Sequence, residues 1–263
     1  MPFVKANGID MHYRESGSGS RALLFVHALG TSLQAWDAVM AQMSPSLRCV
    51  SYDLRGHGKT AVADGPYSIG LLARDLLGLM DALDIRQATL CGVSIGGLIA
   101  QRAALDAPAR VESLVLCDSG VKIGTPAGWQ ARIDAVTARG LPDMAGEITP
   151  RWYAANFCET APALCEGFRA DLAAMSPVGY VGACHALRDA DLTAEVSKIA
   201  VPTLVVCGAE DVATPPAVAQ ELATAIAGAR LEIMAGVGHL PCVEAPDRLF
   251  RLIDPFLAEA SHV

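Results

Sequence analysis

The sequence predicts an α/β protein with a mostly parallel, doubly wound sheet and an inserted helical cap. Short continuous apolar runs alternate with amphipathic helical stretches, which is typical of buried parallel strands joined by crossover helices. This alternation stops between about residues 120 and 199 and resumes at Val201. The chain has 263 residues, of which 52% are hydrophobic and 18% charged. A chain of this size and composition can form one large packed core.

Apolar runs define the expected sheet. Six segments are predicted to be strands of the sheet, at residues 22–26, 49–52, 88–91, 114–117, 203–207 and 230–234, and the first of them is typical of a buried strand. Residues 9–14 alternate between apolar and polar side chains, which favours an antiparallel strand at the sheet edge. The amphipathic stretches 68–83, 95–107, 216–227 and 245–258 are predicted to be the helices that flank the sheet.

The segment 120–199 is predicted to be the cap, so that residues 1–119 and 200–263 together form the core domain. The segment has helical patterns but no convincing strand. It also contains Trp129 and Trp152, two of the three tryptophans. No internal repeat accompanies this change of pattern.

Charge and composition exclude several classes of function. The net charge of −8 argues against a nucleic-acid partner, which would require a basic patch. No stretch approaches the ~18 apolar residues of a membrane span, and residues 1–5 do not begin a signal peptide. The eight cysteines form no C-x-x-C pair and no zinc-like cluster with histidine. We therefore expect a cytoplasmic protein in a reducing setting, with no metal and no membrane partner.

Ser94 is the predicted nucleophile. It is the serine of a G-x-S-x-G motif at residues 92–96, between the strand ending at Cys91 and a helical pattern. This strand–turn–helix context is that of a nucleophile elbow, in which a strained turn projects the hydroxyl over the sheet. Glycines on either side remove side chains that would clash, and the helix directs its positive end toward a developing oxyanion.

His239 is the predicted base that activates this hydroxyl. It follows the last predicted strand, so it is expected at the carboxyl edge of the sheet, beside Ser94. Of the other histidines, His12 lies on the predicted edge strand, His262 lies near the chain end, and His185 lies in the cap as a candidate substrate contact.

Asp211 is the predicted acid that orients the histidine. It follows the strand ending at Cys207, and the order serine, aspartate, histidine matches a nucleophile-elbow hydrolase. Glu210 is its neighbour and is an alternative acid. Asp118 is a second alternative, because it also follows a predicted strand and so faces the same edge.

The loop after the first buried strand is expected to complete the site. It contains His27, Ala28 and Leu29. The backbone N–H groups of Leu29 and Ile95 are predicted to form an oxyanion hole. His27 is expected to be a structural histidine bonded to the backbone.

Along almost its whole length the sequence resembles the α/β-hydrolases. The resemblance rests on residues 27–30, 52–58, 92–96, 208–211 and 238–239. Residues 53–58 are similar to the family's D-x-R-G-x-G turn, in which Arg55 and His57 are expected to be structural. Ala28 stands where the family's common H-G-x-G motif has glycine. Because alanine resists positive φ, a different local backbone is expected there.

A closer resemblance is to the 3-oxoadipate enol-lactonases. It is based on Trp36, Trp129 and residues 29–31, 55–58, 117–124, 150–152 and 179–192. It implies a serine hydrolase that opens a five-membered enol-lactone bearing a carboxymethyl arm, with no cofactor. The alternatives are a general carboxylesterase or a C–C hydrolase of ring-cleavage products, and less favoured ones are a non-catalytic ligand receptor and a cofactor-free haloperoxidase.

The implied substrate carries a carboxylate, which needs a local cation on an acidic protein. The cationic candidates are Arg132, Arg151, Arg188 and Lys122. Arginine suits a carboxylate better than lysine, because its planar fork can form two parallel hydrogen bonds. Trp152 and Trp129 are expected to wall an apolar pocket. The pattern leaves the oligomeric state open.

Overall fold

The computed structural model describes residues 2–260 and contains one eight-stranded, mostly parallel sheet. Its strands are β1 (Phe3–Ala6), β2 (Ile9–Ser16), β3 (Ala22–Val26), β4 (Arg48–Tyr52), β5 (Ala88–Val93), β6 (Val111–Cys117), β7 (Thr203–Gly208) and β8 (Arg230–Met234). They are ordered β1-β2-β4-β3-β5-β6-β7-β8, and the six strands from β4 to β8 in this order are parallel. The predicted fold class is therefore confirmed.

The strand order places a crevice at the centre of the sheet. The chain runs from β3 outward to β4 and then returns across β3 to form β5 on its other side. The connections that leave β3 and β5 therefore diverge, which opens a crevice at their carboxyl ends. Every residue of β3 and β5 is buried, so this crevice stands on the most enclosed part of the sheet.

The amino-terminal edge differs from the prediction. β1 was not predicted, and it rather than β2 is the edge strand, pairing antiparallel with β2 from Phe3 opposite His12. β2 in turn pairs antiparallel with β4. β1 has only four residues and buries just Ala6, so its sequence lacks the long apolar run by which the other strands are recognised.

Helices of the first half flank the sheet. They are α1 (Asp37–Met43), α2 (Ile69–Ala82) and α3 (Ile95–Asp106). The Ser68 hydroxyl accepts a hydrogen bond from the Leu71 N–H and so caps the start of α2. α3 begins immediately after β5 and packs against β5 and β6. α2 and α3 confirm two predicted helices, whereas α1 was not predicted.

The chain between β6 and β7 is helical. It contains α4 (Pro126–Arg139), α5 (Leu141–Ile148), α6 (Phe157–Thr160), α7 (Pro162–Ala174) and α8 (Pro177–Asp189), with a 3-10 helix at Thr149–Trp152. Within the described chain, no strand lies between β6 and β7. All of these helices fall inside 120–199, while the exact cap boundaries stay a prediction.

The last helices return the chain to the sheet. They are α9 (Pro216–Ala225), α10 (Pro241–Glu244) and α11 (Pro246–Ala260). α11 packs against α1 and β6 through buried residues such as Leu249 and Ile253. Within residues 2–260, every helix is too short or too polar to cross a bilayer.

The state of the cysteines bears on whether the protein resides in a reducing compartment. Cys158 in α6 and Cys165 in α7 are joined by a disulfide, a pairing that the spacing did not predict. The other six cysteines are free and buried, where a thiol packs as a small apolar group. Disulfides are typical of oxidising compartments, so the reducing, cytoplasmic setting stays a prediction.

Candidate active site

Ser94 occupies the sharp turn between β5 and α3. Its backbone has φ 58° and ψ −120°, a conformation that residues other than glycine rarely adopt. The Ser94 N–H donates to the carbonyl of Cys117 on the adjacent strand at 3.0 Å, which holds the turn against the sheet. Strained backbone of this kind is concentrated at functional sites, where the surrounding structure enforces it.

Glycines allow the turn to pack this closely. A Cβ on Gly92 would lie 2.3 Å from the backbone of Gly96, and a Cβ on Gly96 would lie 2.3 Å from the carbonyl oxygen of Val26. Both contacts are with backbone, which cannot yield as a flexible side chain can. The two glycines of the motif are therefore required by the packing of α3 on the ends of β3 and β5.

His239 lies in the loop between β8 and α10, where the sequence placed it. Its Nδ1 is 2.8 Å from Oδ2 of Asp211, and both side chains are buried. In the neutral ring, this contact places the proton on Nδ1 and leaves Nε2 as a proton acceptor. Ser94 and His239 line the same cavity. These two described residues form no direct hydrogen bond with each other, a contact that commonly tightens only when substrate binds.

Asp211 is held by several donors besides the imidazole. The Thr214 hydroxyl donates to Oδ2 at 2.5 Å, and the N–H groups of Ala213 and Thr214 donate to Oδ1 at 2.7 and 3.1 Å. Burial would raise the pKa of Asp211, but the nearby His239 and these hydrogen bonds hold that pKa well below its usual value. Asp211 is therefore ionised at neutral pH.

The two alternative acids have other partners. Glu210 is exposed and accepts from the N–H of Ala155 in the cap segment at 3.3 Å. Asp118 is fully buried and accepts from the N–H of Gly208 at 2.8 Å. Burial, followed by the charge of Asp211, raises the pKa of Asp118 well above its usual value. Of the three candidate acids, Asp211 is the one hydrogen-bonded to His239.

Asp118, Asp211 and His239 have the spacing of a metal-binding group. One potential ligand atom from each lies within 4.8 Å of the others, the only such cluster found within residues 2–260. A metal requires ionised carboxylates, whereas burial favours the neutral form of Asp118. The His239 Nδ1 is already directed at Asp211. These contacts fit a hydrogen-bonded triad and not a set of metal ligands.

The predicted oxyanion hole lies beside Ser94. Leu29 lines the cavity with Ser94, and Ile95 is the first residue of α3. Within residues 2–260, neither backbone N–H donates to a protein acceptor. The positive φ of this loop, 80°, belongs to Gly30, and Ala28 is not among the residues with positive φ. The substitution of the family's first glycine by Ala28 therefore imposes no left-handed strain.

His27 has a structural role beneath this loop. Its Nδ1 donates to the carbonyl of Ala28 at 2.8 Å, and its Nε2 accepts from the N–H of Leu54 at 2.9 Å. Complete burial lowers its pKa, so the ring stays neutral. The backbone-bonded histidine expected from the sequence is the one observed.

The turn at residues 53–58 supports the site from outside the cavity. Arg55 forms a buried two-pronged ion pair with Asp75, at 2.8 and 2.6 Å. Burial, followed by the proximity of His27, lowers the pKa of His57 to about 3. A Cβ on Gly58 would lie 2.2 Å from the Asp53 carboxylate, so this turn requires glycine. Arg55 and His57 contribute to structure, as the turn predicts.

A cavity of about 320 Å³ lies between Ser94 and the cap. It is lined by Leu29, Ser94, Ile123, Gly124, Thr125, Gly128, Trp129, Arg132, Ile148, Arg151, Trp152, Tyr180, Ala213 and His239. Its walls are mainly apolar, and no aspartate or glutamate lines it within the described chain. The cavity therefore combines the candidate nucleophile with two arginines on a protein whose net charge is −8.

Four predicted substrate contacts line the cavity. Trp152 is buried, and the Trp129 ring is oriented by its Nε1, which donates to the carbonyl of Ile123 at 2.6 Å. Arg132 donates to the Tyr180 hydroxyl at 3.3 Å. Arg151 is exposed, and within residues 2–260 no salt bridge involves it. Both arginines can therefore turn toward a substrate anion.

The other predicted contacts lie elsewhere. Arg188 is engaged by Asp189 and by Gln130, and it does not line the cavity. His185 lines a separate groove that includes Gly65 and Val178. The expectation that Arg188 and His185 contact a substrate beside Ser94 is therefore not met, because α8 directs both away from it.

The remaining candidates from the sequence are also placed elsewhere. Lys122 forms an ion pair with Asp191 outside the cavity, at 3.0 Å. His12 is buried on β2 and bonded to Asp53 at 2.6 Å. His262 lies outside the described residues.

Two residues that organise the site, Thr214 and Glu244, were not predicted from the sequence. Thr214 follows Asp211 by three positions, and this D-x-x-T spacing is a local signal that could have identified it. Glu244 accepts from the N–H groups of Gly238 and Ala154 at 3.0 and 2.8 Å, linking the His239 loop to the cap segment. No sequence pattern indicates that contact.

The chain resembles known proteins in sequence and in overall fold. A family model described as the alpha/beta hydrolase family matches residues 23–252. The crystal structure of the enol-lactonase from Burkholderia xenovorans is similar, with a TM-score of 0.95 and 35% identity, covering 98% of this chain and 100% of that one.

Two curated relatives are informative. The 3-oxoadipate enol-lactonase 2 of Acinetobacter baylyi is 36% identical over 92% of this chain and 91% of its own length. The 2-hydroxymuconate semialdehyde hydrolase of a Pseudomonas species is 32% identical over 98% of this chain and 93% of its own length. Both alignments span the cap segment as well as the sheet.

Proposed function

The chain belongs to the alpha/beta hydrolase family, and we propose that it hydrolyses a small lactone bearing a carboxylate, with 3-oxoadipate enol-lactone as the preferred substrate. It is an ester hydrolase, as its enol-lactonase relatives indicate. The observation that carries the substrate proposal is the pairing of Ser94 with Arg132 and Arg151 in one apolar cavity. An anionic group on the substrate would explain why cations line a cavity of an acidic protein.

The proposed first step is acylation of Ser94. Asp211 orients His239 through Nδ1, so that Nε2 takes the proton of the Ser94 hydroxyl as its oxygen attacks the ring carbonyl. The backbone N–H groups of Leu29 and Ile95 are the proposed donors to the resulting oxyanion. The positive end of α3 adds to this stabilisation, because Ser94 lies directly before the helix.

The proposed second step releases the product. The ring oxygen departs as an enol that takes the proton from His239 and then becomes a ketone. Water, deprotonated by the same Nε2, attacks the acyl carbonyl and frees Ser94. His239 then returns that proton to the Ser94 oxygen as the acid departs. The proton transfers of both ester-cleavage steps thus pass through His239, and these steps use no metal and no organic cofactor.

The carboxymethyl arm is the proposed partner of the arginines. A guanidinium can bind a carboxylate with two parallel hydrogen bonds, and apolar walls strengthen that contact by excluding water. Arg151 directly precedes Trp152, whose ring lines the cavity. A volume of about 320 Å³ is at the small end of the ~300–1,000 Å³ found for ligand pockets, which favours a small substrate.

The test compares an enol-lactone with an ester that has no carboxylate. We expect kcat/KM for 3-oxoadipate enol-lactone to exceed that for p-nitrophenyl acetate. Arg151→Gln and Arg132→Gln should each lower kcat/KM for the lactone by about 10- to 100-fold, as expected when a charge-assisted hydrogen bond is lost. Hydrolysis of p-nitrophenyl acetate should change by less than about threefold.

Arg188→Gln is the matched control, since Arg188 is a cap arginine outside the cavity. It should leave both substrates unaffected. If the lactone is turned over no faster than the acetate, or if the arginine variants affect both substrates equally, the substrate proposal fails. Labelling by a fluorophosphonate that is lost in Ser94→Ala would separate an enzyme from a non-catalytic receptor.

C–C hydrolysis is a second candidate function. It is favoured by the similarity to a 2-hydroxymuconate semialdehyde hydrolase over nearly the whole chain. Such a reaction could use Ser94 and His239 and would also place a carboxylate near the arginines. Turnover of a dienoate ring-cleavage product, faster than that of the enol-lactone, would favour this function.

A further inference from the structure

Asp118 is a buried carboxyl group that the proposed mechanism does not use. It directly follows β6, has φ 44°, and is fully buried. Its own N–H donates to the carbonyl of Val206 at 2.8 Å, and its Oδ1 accepts from the N–H of Gly208 at 2.8 Å. Its Oδ2 is also buried, and no group within residues 2–260 donates a hydrogen bond to it.

The Asp118 carboxyl lies next to the proposed triad. An oxygen of Asp118, an oxygen of Asp211 and a ring nitrogen of His239 are all within 4.8 Å of one another. Two carboxyl groups this close in a buried site cannot both be ionised without a large free-energy cost. One of the pair therefore holds a proton at neutral pH.

The hydrogen-bond donors around the two carboxyl groups decide which of them holds the proton. Asp211 accepts from Thr214, Ala213 and His239, whereas Asp118 accepts only the Gly208 N–H among the described residues. Donors stabilise the ionised form. Consistent with this, the pKa of Asp211 lies below its usual value, and burial with the charge of Asp211 raises the pKa of Asp118.

The other titratable groups around Asp118 supply no compensating positive charge. Besides Asp211 and His239, they are Cys117 on its own strand, Cys207 on β7 and Cys242 on α10. Burial raises the pKa of Cys207 and Cys242, while the contact with Cys91 and burial raise that of Cys117, so these thiols are neutral. Glu244 faces the same His239 loop and adds a carboxyl group, not a cation.

We propose that Asp118 is a positioning residue: a neutral carboxylic acid whose Oδ2–H donates a hydrogen bond to the Asp211 carboxylate. This bond would satisfy the otherwise unpartnered Oδ2 and would fix the carboxylate that orients His239. It would also withdraw negative charge from the Asp211 carboxylate. The inference rests on the proposed triad, and it adds a fourth member acting through Asp211.

Two variants test this role. Asp118→Asn keeps a neutral donor of the same size, and asparagine tolerates positive φ. Asp118→Gly removes the donor while also accepting positive φ. The readout is the pH dependence of kcat/KM for p-nitrophenyl acetate, which needs Ser94 and His239 but no substrate carboxylate. Circular dichroism and thermal unfolding check that each variant is folded.

With Asp118→Gly, we expect kcat/KM to fall about 10-fold, the effect of losing one hydrogen bond to a charged group, and the acidic limb to move to higher pH. Asp118→Asn should restore the rate to within about threefold of the wild type, with the acidic limb unmoved. An infrared C=O band of a protonated carboxylic acid at neutral pH, absent from Asp118→Asn, should identify the proton directly.

Three results would overturn the proposal. An acidic limb moved to lower pH in Asp118→Asn would mean that the residue is ionised. A loss of about 10³-fold or more in Asp118→Asn would make Asp118 itself the triad acid. A wild-type rate and pH profile in Asp118→Gly would leave it no role. Failure of the lactone proposal changes none of these readouts. Acetate hydrolysis retained in Ser94→Ala would instead disprove the proposed triad on which this inference rests.

Discussion

The backbone N–H of His239 donates a hydrogen bond to the carbonyl of Trp152 at 3.0 Å. This bond joins the loop that holds the proposed base to the cap segment that walls the cavity. Gly238 makes the approach possible, since a Cβ there would lie 2.5 Å from the backbone of Tyr153 and Ala154. The position of the imidazole and the position of the cap wall are therefore coupled through backbone contacts.

Glu244 strengthens the same junction. We expect Glu244→Ala to lower the free energy of unfolding by about 1–3 kcal/mol, because it leaves the N–H groups of Gly238 and Ala154 without their acceptor. It should also lower kcat/KM about 10-fold, as the His239 loop loses its anchor. Urea unfolding and ester hydrolysis measure the two effects. Glu221→Ala, on the exposed face of α9, is the control, and equal effects from both variants would contradict the argument.

The choice between adjacent acids can be tested directly. Asp211→Asn should lower kcat by about 10³- to 10⁴-fold, because the amide no longer holds the imidazole in the required tautomer and charge state. Glu210→Gln should change kcat by less than about threefold, since Glu210 is exposed and contacts the Ala155 N–H instead of His239. Steady-state kinetics on p-nitrophenyl acetate gives both values. A larger effect from Glu210→Gln would reverse the assignment.

Thr214 is expected to support Asp211. Thr214→Val removes a hydroxyl that donates to Oδ2 at 2.5 Å, and the loss of about 1–1.5 kcal/mol should lower kcat about 10-fold. Thr214→Ser keeps the donor and should retain most of the activity. The comparison is made at saturating substrate, so that it reports on kcat. Equal activity of the two variants would show that the hydroxyl contact is unimportant.

His57 should make stability depend on pH. Its pKa is lowered to about 3 in the folded protein, mainly by burial, against about 6.5 in an unfolded chain. Between these values the unfolded state binds one more proton, so stability is full above about pH 6.5 and falls as the pH decreases. The expected loss from pH 7.5 to pH 5 is on the order of 2 kcal/mol from this residue.

Urea unfolding of the wild type and of His57→Asn at these two pH values tests the prediction. The stability of the variant should depend less steeply on pH, because the unfolded state takes up about one proton fewer relative to the folded state. Its stability at pH 7.5 can still be lower, because removing the ring leaves a space. A variant that loses as much stability on acidification as the wild type would show that other groups dominate. His57 lies outside the cavity, so the measurement is independent of the proposed chemistry.

Local sequence patterns were sufficient to predict much of the fold and of the candidate site. The G-x-S-x-G spacing and its flanking strand and helix predicted the turn that contains Ser94, because that turn depends on neighbouring residues alone. His239 and Asp211 could be assigned to the same edge, because parallel strands bring their carboxyl ends together. Short apolar runs likewise predicted most of the parallel strands, whereas β8 alternates charged and apolar residues and buries only Met234.

Side-chain direction and long-range pairing needed the folded chain. Asp118, Glu210 and Asp211 all follow sheet strands, but hydrogen bonds from distant segments assign each a different partner. The same holds for the cap cations, of which Arg132 and Arg151 reach the cavity while Arg188 is engaged elsewhere. A short sequence pattern indicates which face of a helix or strand is apolar. Which distant residue a given side chain contacts depends instead on how whole helices pack together.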